Sequence, residues 1–442
     1  MSQAWINYLP TPLQERVRRS TGLKPILGNT GWLMGEQVLR MVTGMLVGAL
    51  VARYLGPAQF GTYNYALSFV GLFTAVSSLG LNGLLVRDVV RDPAAGNAIM
   101  GTILALKVIG GLVAMLLAIG MTAVMAPGFP LMFWLVAVTA CGLVVQAFDT
   151  VDLWFQAQVL SKYSVIAKSI AYVLANVFKL GLVCAQASLL WFSFAGVLEF
   201  LLAAVCLLLA YRHHGNRPSA WVVSWKRARH LLTESWPLVL SNLSIVLYMR
   251  IDTVMLGHLS TNQQVGLYSV ATRLSELWYV VPTAIVASVT PALMKAKDME
   301  RDVYHGRLLA LFRALVLIAL LIAVPMTFLS ETLVVLLFGH SYQAAGPVLS
   351  VHIWAALFVF LGVAQGPWNI AEGLYKVSLS RSVMGAVLNI LLNLALLPRM
   401  GAMGAAVATV VSYAVPNYLA NLTNRRTREV FKLQTRALFM LK

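Results

Sequence analysis

The sequence predicts an all-α polytopic membrane protein with about 12 transmembrane helices arranged as two six-helix parallel repeats. Three observations predict this. First, 59% of the 442 residues are apolar, only 11% are charged, and the mean hydropathy is +0.78. Soluble domains carry about 25% charged residues. A soluble globular enzyme, a disordered chain and a coiled coil are therefore excluded. Second, the apolar residues come in long blocks of about 20, the length that crosses a bilayer as a helix. A transmembrane barrel would show short alternating segments instead. Third, the cationic residues fall mostly between alternate blocks.

The predicted spans are 27–52, 61–83, 98–124, 130–152, 163–185, 188–211, 236–259, 265–290, 308–330, 344–366, 376–397 and 401–421. With the N-terminus placed inside, only Arg53 and Arg399 of the 33 Lys and Arg lie on the outer side. Seven fall within spans, and the remainder lie inside, as the positive-inside rule requires. Both termini are thus expected on the cytoplasmic side of the cytoplasmic (inner) membrane. The net charge of +17 follows from this topology, and no nucleic-acid partner is expected. The first block begins near Ile26, after Arg16, Arg18, Arg19 and Lys24, a pattern unlike a cleavable signal peptide.

The organisation read from these blocks has five parts. Residues 1–25 form a cytoplasmic segment with apolar Trp5, Ile6, Leu9 and Leu13, and 26–211 form the first six-helix half. Residues 212–234 are a polar cytoplasmic linker, 235–421 form the second half, and 422–442 are a basic amphipathic tail expected to lie on the inner surface. Cys141, Cys184 and Cys206 sit inside apolar segments with no metal or disulfide spacing.

The halves repeat each other. Leu55-Gly56 precedes Gly61-Thr62-Tyr63-Asn64-Tyr65-Ala66, and Leu256-Gly257 precedes Gly266-Leu267-Tyr268-Ser269-Val270-Ala271. Both read Leu-Gly, a short loop, then Gly-x-Tyr-x-x-Ala. Trp154, Lys168-Ser169 and Asn176 likewise match Trp368, Arg381-Ser382 and Asn389. Two halves of six spans each give parallel repeats, a plan that suits a transporter working by alternating access at the repeat interface.

Ionisable residues inside spans cost about 2.5–3.5 kcal/mol each at a helix centre and point to function by default. Glu36 and Arg40 are spaced i,i+4 and share a helix face, as do Arg273 and Glu276 at i,i+3. Arg250 and Asp252 at i,i+2 point apart. Lys107, Lys179 and Glu199 lie deep; Asp149, Asp152, Lys168 and Arg313 lie nearer the inner surface, where Lys168 and Arg313 are expected to snorkel to headgroups. Arg40, Arg250, Arg273, Lys179 and Lys107 are the candidate lining of a cavity for an anionic headgroup, because guanidinium forks bind phosphate bidentately. Glu36, Asp252 and Glu276 are the candidate charge partners or ion-coupling groups. Tyr63, Tyr65, Tyr248, Tyr268, Trp278 and Tyr279 could stack on sugars, although an interfacial aromatic belt explains each one singly. No nucleotide-binding loop, zinc motif or nucleophile elbow is present, so neither a cofactor nor catalysis is expected.

Several stretches, taken in order, resemble the polysaccharide-flippase (Wzx-type) family of the multidrug/oligosaccharidyl-lipid/polysaccharide (MOP) exporter superfamily. They are Val51-Ala52-Arg53-Tyr54-Leu55-Gly56-Pro57, Leu79-Gly80-Leu81-Asn82, Leu153-Trp154-Phe155-Gln156-Ala157, Arg250-Ile251-Asp252-Thr253-Val254-Met255-Leu256-Gly257, Asn389 with Asn393, and Gly401-Ala402-Met403-Gly404. Gln156-Ala157 departs from the Gln-Gly frequent in that family. The resemblance implies a V-shaped MOP-type bundle that flips a polyprenyl-diphosphate-linked oligosaccharide, of O-antigen or exopolysaccharide type, from the inner to the outer leaflet. It implies that Arg40, Arg250 and Arg273 serve the headgroup, and that polysaccharide polymerase and chain-length proteins are partners. Two other functions stay open at this point. An ion-coupled multidrug exporter of the same superfamily would favour carboxylates over cations in its spans. A membrane polymerase or ligase would need a long outer loop, which the sequence lacks.

Overall fold

The computed structural model describes residues 23–125, 128–297 and 301–441. The apolar residues 5–13 singled out above lie outside this set. Every described element is helical. Helix α1 (Leu23–Gly71) runs 49 residues and carries the first predicted span and the start of the second. Gly56, with φ 68° and ψ 169°, interrupts it, and Pro57 follows. Glycine enters the left-handed region without a Cβ penalty, and proline lacks the N–H that the helical ladder needs. The short loop expected after Leu55-Gly56 is therefore a sharp kink at which two helical stretches of α1 meet.

Helices α2 (Thr74–Ser78), α3 (Asn82–Arg91), α4 (Gly96–Met125), α5 (Pro130–Val145), α6 (Thr150–Ala157), α7 (Ser161–Cys184) and α8 (Leu189–His213) follow. The chain then continues through α9 (Trp225–Leu259), α10 (Asn262–Glu276), α11 (Val280–Lys297), α12 (Arg301–Phe338), α13 (Ala345–His352), α14 (Ala355–Ala371), α15 (Tyr375–Met400), α16 (Ala402–Asn417) and α17 (Arg428–Leu438). Among the described residues, 11 helical runs are long and apolar enough to cross a membrane. The first, Gly31–Arg91, has 61 residues. At about 1.5 Å per residue it is long enough for two crossings of a core about 30 Å thick, and it overlaps the first predicted span and contains the second. Each of the other ten runs overlaps one predicted span, so the chain is a multi-pass membrane protein.

The chain divides into two compact units. The first holds the described residues up to Val47, with Thr74–Met125 and Ala137–Val239. Its core gathers Leu81, Leu85, Ile99, Val151, Phe155 and Tyr211. Helices α4 and α5 approach closely at Gly111, where an added methyl would meet the backbone of Leu143 and Val144. Small residues admit such approaches in membrane bundles.

The second unit holds Gly48–Phe73, the described part of Ala126–Val136, and the chain from Leu240 onward. Its core gathers Phe312, Leu315, Phe360, Trp368 and Leu433. Arg53 caps the end of α12, donating to the carbonyls of Leu336 and Leu337, the latter at 2.8 Å.

The tail helix α17 belongs to this second core. It buries Val430, Leu433 and Ala437, stacks Phe431 on Tyr418 at 5.0 Å, and pairs Glu429 with Arg301 at 3.1 Å. A buried amide network ties it down. Asn421 donates to Gln365 Oε1 at 3.0 Å and to Gln434 Oε1 at 2.8 Å. The sequence placed this helix on the membrane surface. Its apolar face is covered by protein because Tyr418, α12 and the amides of Gln365 and Asn421 give that face and its one buried glutamine complementary partners.

Candidate functional site

In the first unit the intramembrane charges form a ladder of alternating sign. Lys168 on α7 reaches Asp152 on α6 at 3.0 Å and Glu36 on α1 at 3.3 Å. Arg40, one turn after Glu36, donates Nε to Glu36 at 3.0 Å and Nη1 to Glu199 on α8 at 2.9 Å. Lys179 on α7 closes the series, 3.8 Å from Glu199. Glu36 and Asp152 are buried, whereas the Arg40 side chain is 32% exposed. Tyr172 fixes the centre of the ladder: its ring lies under the Arg40 guanidinium at 4.5 Å, and its hydroxyl donates to the Arg40 carbonyl at 3.0 Å. A cation over an aromatic face gains electrostatically while one side stays open.

Lys107 stands apart from the ladder. It is 2% exposed and pairs with Asp149 at 2.6 Å. Lys168 was expected at the headgroups, but two carboxylates within 3.3 Å hold it inside the unit. A paired ammonium in low dielectric outweighs a solvated one only where such partners are already in place. Arg313, the other residue expected to snorkel, donates instead to the Leu441 carbonyl beside the tail helix.

The second unit holds the remaining candidates. Asp252 on α9 is 4% exposed and ringed by donors. The Tyr268 hydroxyl donates to it at 2.9 Å, Thr409 Oγ1 at 2.9 Å, and the Asn393 amide also donates. Asn393 is in turn 3.0 Å from Asn389 Oδ1, and its own Oδ1 is buried without a partner. Arg250, two residues before Asp252, is exposed. Glu276 on α10 lies in the fields of Arg250, Arg273 and Asp252. The Arg273 guanidinium lies against Gly48, where a Cβ would collide with it.

Three of the aromatic candidates make internal contacts. Tyr65 shares a 2.7 Å hydrogen bond with His258 Nε2, Tyr248 donates to the Ser412 carbonyl at 2.6 Å, and Tyr268 serves Asp252. Among the described residues no group of three or more His, Cys, Asp and Glu could hold a metal ion.

The structure thus brings Arg40, Glu36 and Lys179 together and gathers Arg250, Asp252, Arg273 and Glu276 in the second unit. Sequence reasoning found the i,i+4 pair of Glu36 and Arg40. It did not find Glu199 as the partner shared by Arg40 and Lys179, nor Tyr172, nor Thr409. No local spacing joins residues 40 and 199; Thr409 carries no charge to mark it.

Residues 26–297 match the model of a family described as polysaccharide biosynthesis protein. The probable flippase AglR of Haloferax volcanii is 28% identical over 191 residues, covering 41% of this chain and 39% of that protein. The probable low-salt glycan biosynthesis flippase Agl15 of the same organism is 25% identical over 225 residues, covering 50% and 47%. The chain thus spans less than half the length of these two relatives. The capsular polysaccharide biosynthesis protein CapF of Staphylococcus aureus is 22% identical over 396 residues, 88% of this chain and 96% of that protein. Among solved structures, an inward-facing multidrug resistance MATE family transporter of the MOP superfamily aligns with TM-score 0.73 at 15% identity, covering 89% of this chain and 96% of that one. The lipid II flippase MurJ, in an inward closed conformation, aligns with TM-score 0.72 at 13% identity, covering 92% and 90%. At such identities the likeness shows the fold alone, and it is equal for a drug transporter and a lipid flippase.

Proposed function

Because this chain belongs to the polysaccharide biosynthesis protein family, we propose that it is a flippase for a polyprenyl-diphosphate-linked oligosaccharide. It carries the headgroup from the inner to the outer leaflet of the cytoplasmic membrane by alternating access, with both termini cytoplasmic. The repeat unit is destined for O-antigen, exopolysaccharide or a related glycan. Polymerase and chain-length proteins are the partners that would consume it.

The observation that carries the reading is the ladder Asp152–Lys168–Glu36–Arg40–Glu199–Lys179. An unliganded cation inside a membrane bundle needs a counter-charge, and here the protein supplies one to each. A diphosphate offers the same oxygens with more charge. It can take Arg40 and Lys179 from their shared Glu199 with no new charge left bare on the cations. Arg250 and Arg273 in the second unit present the same chemistry, and Arg recognises phosphate bidentately at any working pH. The names of the curated relatives support the glycan reading over drug export, since two are probable flippases.

Asp252, Glu36 and Glu276 are the groups proposed to couple transport to an ion gradient. Asp252 has the densest set of polar partners of the three, with the unpartnered Asn393 oxygen beside it. The test is reconstitution in liposomes with a polyprenyl-diphosphate saccharide bearing a quenchable fluorophore. Protein-dependent loss of protection from an external quencher supports the proposal. A flip rate equal to that of empty liposomes, together with efflux of cationic dyes, would replace it with drug export.

A further inference from the structure

The first unit contains a second cationic site, separate from the charge ladder. An open cavity of about 610 Å3 lies between the end of α3 and the start of α9. Arg87 and Arg91 line one wall with Asp88 and Asp92; Lys226 and Arg227 line the other. Four permanent cations thus face two carboxylates. Arg87 is already committed, pairing with Asp88 at 2.8 Å and with Glu234. Arg227 lies 4.0 Å from Asp92. Arg91 and Lys226 have no carboxylate within ion-pair distance among the described residues, and with Glu234 counted the four cations exceed the carboxylates by one.

The walls are held in place before any ligand arrives. Val222 N–H donates to the Asn97 carbonyl at 3.3 Å, and Ser224 N–H donates to Thr102 Oγ1 at 3.0 Å. Gly101 lets this segment lie against α4, since a methyl there would meet the Val222 backbone. The linker is therefore pinned to α4 just before it turns into α9.

Exposed apolar residues neighbour the lining residues in the chain. Val90, beside Arg91, is 59% exposed, and Trp225, beside Lys226, is 75% exposed. Val222 and Val223 are exposed next to them. The cavity also sits where two membrane-crossing runs, Gly31–Arg91 and Trp225–Leu259, end and begin. A lipid has a phosphate and an apolar body in one molecule, which suits a cationic cavity at the ends of two membrane-crossing runs. Basic pockets at helix ends bind anionic headgroups, and exposed Trp anchors at that depth.

We propose that this cavity binds the phosphate headgroup of an anionic membrane phospholipid. Arg91 and Lys226 supply the charge, and Val90 and Trp225 meet the lipid below its headgroup. The site does not depend on the flippase reading, and the test needs no glycan. Full-length protein is titrated with phosphatidylglycerol or phosphatidylcholine and bound lipid is counted by native mass spectrometry. Arg91→Ala/Lys226→Ala should weaken phosphatidylglycerol binding about 30-fold, near the sum of two juxtamembrane cations, and leave phosphatidylcholine unchanged. Arg91→Lys/Lys226→Arg should retain binding. In the unmutated protein, photoreactive phosphatidylglycerol should crosslink within residues 222–230. Equal phosphatidylglycerol affinity in the Ala variant, or crosslinks only elsewhere, would overturn the proposal. Displacement of the lipid by equimolar inorganic phosphate would assign the cavity to a free anion and overturn it equally.

Discussion

Gly61 and Gly266, equivalent residues of the two repeats, pack against each other's helices in a reciprocal contact. A methyl at Gly61 would overlap the carbonyl of Asn262, four residues before Gly266. A methyl at Gly266 would overlap the carbonyl of Pro57, four residues before Gly61. Reciprocity of this kind is what a two-fold relation between like elements produces. It gives the weak sequence repeat a physical meaning, because Gly-x-Tyr-x-x-Ala recurs where two backbones touch.

Replacing either glycine should therefore destabilise the second unit. The clashing atoms are backbone and cannot rotate away, so Gly61→Val and Gly266→Val should each cost at least about 2 kcal/mol. The check is a lower Tm in detergent and lower membrane abundance. Gly83→Ala, with open space around its Cβ position, should leave both unchanged.

Arg40 and Glu199 should be energetically coupled. Arg40 is one-third exposed, so screening holds the coupling to about 1 kcal/mol. A double-mutant cycle with Arg40→Ala and Glu199→Ala on thermal stability measures it. Additive effects would mean that the ladder is not a unit.

Arg250→Ala and Arg273→Ala should each impair glycan export without lowering membrane abundance. Lysine at either position should rescue only in part, since an ammonium lacks the planar fork. Gly48→Ala should mimic the Arg273 loss by pushing the guanidinium aside. Normal surface glycan in both Ala variants would remove these arginines from the site.

Asp252→Asn keeps the shape of the side chain and removes its charge. Gradient dependence of transport should disappear in this variant, or in Glu36→Gln or Glu276→Gln. Unchanged dependence in all three would show that none carries the coupling ion.

The tail helix should be held by its amides. Asn421→Leu leaves Gln365 and Gln434 buried with unmet partners, at a cost of about 1–3 kcal/mol. Limited proteolysis should then cut between Leu422 and Arg428 faster than in the unmutated protein.

The fold was legible because bilayer crossing imposes one simple requirement, a block of about 20 apolar residues, and the chain meets it repeatedly. The joints were less legible. Gly56-Pro57 reads as a loop but is a kink, where one helical stretch ends and a second begins with no coil between them. The tail reads as a surface helix because amphipathicity alone does not say whether lipid or protein covers the apolar face. Within the candidate site, Glu36 with Arg40 was readable as a local pair. The partners Glu199, Asn393 and Thr409 depend on tertiary contacts spanning 141 to 159 residues, which no periodicity records.

The most direct measurement is mass spectrometry of the lipid fraction from cells depleted of this protein. The account predicts accumulation of a complete polyprenyl-diphosphate oligosaccharide, which places the block at translocation and reports the mass of the repeat unit. Intact surface glycan with no accumulated intermediate would contradict it.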